Sequence, residues 1–126
     1  MCIIMNSLSS LSSGLRLQSL LQKEIQTILQ QELDNESAIL LYSTGSHWVA
    51  FEHSAYQLCR RTPEADLTPF FFDNYPFPVL MASIPVMDLG EKGLKEKMTL
   101  AAPKLNMRQY RAWHRREMKE FEDILN

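Results

Sequence analysis

The chain has 126 residues, 45% hydrophobic and 22% charged, with a formal net charge of −2. That length holds one domain with one core, and the composition is that of a globular protein rather than a disordered one. The charge balance excludes a globally basic nucleic-acid binder, so contact with nucleic acid would need a local patch. Two cysteines, Cys2 and Cys59, make neither a disulfide framework nor a metal set, which points to a reducing cytoplasm. No apolar run approaches the roughly 20 residues that cross a bilayer, and the N-terminus lacks the charged start of a signal peptide. The expectation is a soluble cytoplasmic protein with no membrane contact.

Residues 1–14 are Ser-rich and read as a flexible tail, the alternative being that Ile3, Ile4 and Met5 dock on a partner. The domain is expected over 15–126. From Leu15 to Leu33, apolar residues recur at three- and four-residue steps, which predicts an amphipathic helix ended by Asp34-Asn35. Ala38–Tyr42 and Trp48–Phe51 read as two strands joined at Ser43-Thr44-Gly45-Ser46, where Gly45 supplies a positive φ. On the second strand His47, Val49 and Phe51 share one face. Ser54 is a plausible N-cap for a short helix running to Arg61.

Four prolines between Thr62 and Pro78 forbid a long helix or a central strand, leaving a loop with an edge strand around Leu67–Phe72. That loop gathers Phe70, Phe71, Phe72, Tyr75 and Phe77. Val79–Ile84 reads as a buried strand stopped by Pro85. Asp88 caps an expected helix over Leu89–Met98, and Thr99–Ala102 reads as a last strand. Asn106 caps a final helix, Met107–Leu125, whose apolar stripe includes Tyr110, Trp113, Met118 and Phe121. Strands alternating with helices predict the α/β class, with a mixed sheet and flanking helices in a single domain.

Signatures of catalysis are missing. There is no phosphate-cradling GxxxxGK, and no GxGxxG, HExxH, CxxC or GxSxG. His47 and His53 are too far apart along an extended chain, about 20 Å, to share an ion. Cys59 on an amphipathic helix reads as core. No catalytic residue, metal or cofactor is expected. On the final helix Arg108, Arg111, Arg115 and Lys119 recur at helical spacing, a basic stripe that could meet phosphates or simply face water.

The order amphipathic helix, apolar strand, Gly45-Ser46-His47-Trp48-Val49-Ala50-Phe51, then a Ser54-Ala55 helix start resembles the N-terminal mismatch-recognition domain of the MutS DNA mismatch-repair family. A second stretch, Met81-Ala82-Ser83-Ile84-Pro85 followed by a short helix, resembles that family's strand ending in Ile-Pro. The likeness covers roughly residues 15–98. It implies a MutS domain I-like fold and a non-catalytic DNA-binding role. In that family a Phe-x-Glu pair wedges into the minor groove and reads the mispaired base. Here His47 and Val49 occupy those positions: an imidazole can still stack, and a valine cannot hydrogen-bond. The family's ATPase and clamp domains are not in this sequence, so repair activity is not expected of it alone. The resemblance implies a DNA surface of Ser46, His47 and Val49, helped by Arg60, Arg61, Arg108, Arg111 and Arg115. The alternative is a protein-interaction module that kept the fold, lost DNA binding and uses the Phe70–Phe77 loop. The oligomeric state is not legible.

Overall fold

The computed structural model describes residues 13–73, 77–89 and 96–125. In chain order these form α1 (Ser13–Asp34), β1 (Ala38–Ser43), β2 (His47–Phe51), α2 (Glu52–Arg61), β3 (Asp66–Phe70), β4 (Val79–Pro85), a 3-10 turn (Val86–Leu89), β5 (Lys97–Ala101) and α3 (Met107–Leu125). The strands make one sheet in the order β3-β4-β2-β1-β5. This is a single α/β domain, as the alternation of elements implies.

Every pairing in the sheet is antiparallel, which corrects the expectation of a mixed one. The helical crossover through α2 does return the chain in the same direction, so β2 and β3 point alike. β4 inserts between them and pairs with both, and among the described residues no parallel pair forms. Pro69 sits on β3, at the sheet edge where a missing N–H costs no ladder bond.

The sheet divides the apolar interior into two layers, and the period-2 alternation decides which residue joins which. Leu40, Tyr42, Val49, Phe51, Val79 and Met81 meet Ile25, Ile28 and Leu29 of α1 on one face. On the other, Ile39, Leu41, Trp48, Ala50, Leu80 and Ile84 meet α2 and α3 through Leu58, Tyr56, Tyr110 and Trp113. β1, β2 and β4 are apolar on both faces because both are covered. Among the described residues, Trp48 Nε1 is buried without a hydrogen-bond acceptor, at a cost of about 1–3 kcal/mol that its large buried ring offsets.

The β1–β2 hairpin turns where the sequence places it. Gly45 has φ 99°, and the Thr44 N–H donates to the His47 carbonyl at 2.9 Å. Ser46 is pinned to the end of β4, its carbonyl accepting the Val86 N–H at 2.9 Å. Asn106 caps α3 as expected, its Oδ1 accepting the Gln109 N–H at 3.0 Å.

Three local expectations are corrected. Ser54 does not cap α2, which begins earlier, at Glu52. The helix read over Leu89–Met98 cannot run to its expected end, because β5 starts at Lys97; residues 90–95 lie outside the described residues. Ser13 and Gly14, assigned to the tail, belong to α1, while the rest of the tail, residues 1–12, lies outside the described residues. Among the described residues no helix is long and apolar enough to cross a membrane.

At Gly45 a Cβ would be both conformationally disfavoured and 2.6 Å from Arg16 Nη1. The guanidinium tip can move aside, so backbone strain sets the cost. Gly45→Ala is expected to destabilise the protein by about 1–2 kcal/mol, lowering the thermal midpoint followed by circular dichroism. An unchanged midpoint would show that the turn tolerates a side chain.

Candidate functional site

The residues named from sequence do not assemble into one surface. Ser46 is exposed at the hairpin tip, with its Oγ 2.7 Å from His47 Nδ1. His47 is half-buried and lines a hollow of about 190 Å³ beneath the first turns of α1, with Gly14 and Leu17 opposite. Val49 is 2% exposed inside the α1 layer and lines the floor of the same hollow. The remaining candidates belong to α2 and α3, on the other side of the sheet. Arg60 and Arg61 end α2; Arg60 donates to the Tyr56 hydroxyl at 2.9 Å and to Gln109 Oε1 at 3.3 Å. Arg108, Arg111 and Arg115 are exposed along α3, and among the described residues none forms an ion pair. The basic neighbour of the hairpin tip is Arg16, which no sequence pattern singles out. Cys59 is half-buried, and burial together with the Glu117 carboxylate pushes its thiol up to about 11.

The chemistry instead collects where β2 becomes α2. The strand enters the helix with no loop, and Glu52 makes the corner at φ 48°. A non-glycine residue held there costs on the order of 1–2 kcal/mol, and such outliers concentrate at functional positions. The conformation turns the Glu52 carboxylate back over the sheet. Its Oε2 accepts the Leu80 N–H at 3.1 Å and lies 3.0 Å from His114 Nε2. Both partners of the Glu52–His114 pair are largely withdrawn from solvent, with side chains 13% and 19% exposed.

Beside this corner lies a buried polar knot. Glu32, at the end of α1, accepts the Ser54 N–H on Oε1 at 2.9 Å and the Ser54 hydroxyl on Oε2 at 2.6 Å. Glu32 therefore caps the first turn of α2 from another element, the role that Ser54 could have filled locally. Ser54 Oγ accepts the Leu40 N–H at 2.9 Å and an Asn35 Nδ2 hydrogen at 3.0 Å. Both of its lone pairs are then occupied, so its own hydrogen must go to Glu32. Burial raises the Glu32 pKa to about 7; the bonds from Ser54 and Asn35 pull it down, and the Glu52 charge adds to the rise. His53 is the next member. Its Nδ1 lies 2.9 Å from the Asn35 carbonyl, an obligate acceptor, which assigns the ring hydrogen to Nδ1. Among the described residues Nε2 makes no hydrogen bond.

These groups open onto a cavity of about 530 Å³. Leu29 and Leu33 of α1 form one wall, and Phe77 and Pro78 before β4 form a second. Tyr110, Arg111, His114 and Arg115 of α3 close the third. The Tyr110 ring meets His53 edge-on at 4.6 Å between centroids. Among the described residues no three His, Cys, Asp or Glu side chains are arranged to hold a metal ion.

No family model, curated protein or solved structure matches the chain. The site accordingly stands on its own geometry.

Sequence reasoning missed it because no two of its members are related by a motif. Glu32, Glu52 and His114 come from three helices, and the spacing between them has no local meaning. The one local signal was the absence of a turn residue between the strand ending at Phe51 and the helix, a junction that the structure makes with Glu52 at φ 48°. Glycine there should be better tolerated than alanine, reversing the usual helix order. Both Glu52→Gly and Glu52→Ala remove the carboxylate, and the glycine variant is expected to keep about 1 kcal/mol more stability in urea unfolding.

A carboxyl pKa raised by folding means that the native state holds a proton the unfolded chain releases. The stability this group contributes is complete below about 4.5, falls as pH rises through about 7, and is absent above it. The loss is on the order of 3 kcal/mol. Unfolding free energies for wild type and Glu32→Gln across that window should diverge, with wild type losing stability that the variant does not lose. Parallel curves would place the Glu32 carboxyl in the ordinary range.

Proposed function

We propose that the protein is a non-catalytic interaction module whose working surface is the end of the domain carrying Leu33, Phe71 and Phe77. The observation that carries this reading is the exposure of those side chains, 72%, 68% and 64%, against the burial of Val49. Phe70 and Phe72 pack inward on the α1 layer and stack on each other, with centroids 6.1 Å apart, which anchors the segment beneath Phe71. Large apolar groups displayed together mark contact surfaces more often than they serve stability. Arg111 and Arg115 border the same end, so the partner that fits is a protein segment with apolar side chains flanked by acidic ones.

Selection from a random peptide library tests this with no partner chosen beforehand. Enriched sequences should combine aromatic or aliphatic residues with Asp or Glu, and Phe71→Ser should abolish the enrichment. Enrichment indifferent to Phe71, or none at all, would remove the reading.

DNA binding, as the MutS resemblance implies, is supported by one observation: the exposed Arg108, Arg111 and Arg115, unpaired among the described residues. In this second reading α3 meets phosphates and the hairpin tip reads no base. An anisotropy titration with duplex and mismatched DNA near 50 mM salt, where phosphate contacts are strongest, decides it. Binding that falls in Arg111→Gln and weakens with added salt supports the reading; no binding at that salt removes it.

A further inference from the structure

We infer that the cavity at the β2–α2 corner is a binding site for a small organic carboxylate with an apolar body, held by Arg111 and Arg115. The cavity volume, about 530 Å³, is that of a site for a small molecule. Its walls divide the work. Leu29, Leu33 and Phe77 offer apolar surface, while two arginines one helical turn apart present guanidinium groups at the mouth. A guanidinium fork matches a carboxylate in two parallel hydrogen bonds.

The acidic groups nearby do not cancel this charge. Glu52 is already committed to the Leu80 N–H and to His114. Glu32 is occupied by Ser54, and burial raises its pKa to about 7. The charge left over at the mouth is the arginine pair. Deeper in, the neutral ring of His53 has its lone pair on Nε2, because Nδ1 bears the hydrogen that meets the Asn35 carbonyl. It suits a ligand hydroxyl or N–H placed behind the carboxylate. The strained φ of Glu52 fits the same purpose. It holds a carboxylate against the His114 ring at the cavity wall, and so fixes the orientation of that imidazole.

This inference goes beyond the interaction reading: the two share Leu33, Phe77, Arg111 and Arg115, but Phe71 is not a wall of the cavity, so Phe71→Ser tells them apart. The test is a heteronuclear NMR titration of the full chain with 3-phenylpropionate, beside the neutral 3-phenylpropanamide and phenyl phosphate. The carboxylate should give saturable shifts at His53, His114 and the Arg111 side chain, with the amide at least about tenfold weaker. Arg111→Gln with Arg115→Gln should lose that preference. Arg108→Gln, outside the cavity, and Phe71→Ser should both keep it. No shift at these residues with the carboxylate, or equal affinity for acid and amide, overturns the inference. Tighter binding of phenyl phosphate than of the carboxylate overturns the assignment of the head group.

Discussion

One buried junction decides how this chain can be arranged: the bonds from Glu32 and Asn35, at the end of α1, to Ser54 at the start of α2. Glu32 and Ser54 are buried and Asn35 is half-buried, so these polar groups cost free energy unless they are satisfied. Ser54 is the hub. It receives the Leu40 N–H of β1 and the Asn35 amide, and it gives both its N–H and its hydroxyl hydrogen to Glu32. Three elements are thereby fixed at one point, and the apolar layers on either side of the sheet inherit their spacing from it. Loss of one member would strand the others, since a half-satisfied buried network is worse than none.

The strain at Glu52 belongs to the same corner. With α2 beginning one residue after β2, the chain must turn sharply, and Glu52 takes up the turn at positive φ. Its carboxylate is what the distortion gains: a bond to β4 at the Leu80 N–H and a pairing with His114 of α3. The corner thus links the sheet to α3 as well as to α1. It also leaves a cavity, because α1, α3 and the start of β4 converge on the corner without closing over it.

Much of the architecture was legible because it is written in periodicity. The three-to-four spacing from Leu15 to Leu33 fixed α1, and the apolar runs at Ala38–Tyr42 and Val79–Ile84 fixed two central strands. Gly45 marked the hairpin, and Asn106 marked the start of α3. The failures share a cause, which is that the deciding partner is distant in sequence. Ser54 looks like a local cap until Glu32 takes that role. Strands alternating with helices suggest a mixed sheet until β4 pairs between β2 and β3. Met98 fits an amphipathic helix, yet backbone pairing with Leu41 places it in β5. Of the residues that the sequence suggests for function, Arg111 and Arg115 do border the cavity, whereas Val49 reads as a surface residue because nothing local shows that α1 covers it.

The corner can be probed at single amides by native-state hydrogen exchange. If the Glu32–Ser54–Asn35 junction is part of the cooperative core, the N–H groups of Ser54 and Leu40 exchange only when the whole domain unfolds. Their protection should then equal that of Ala50 and Ala82 in the central strands. Exchange of Ser54 and Leu40 orders of magnitude faster than the central strands would show a corner that opens by itself, contradicting its place as the point that organises the fold.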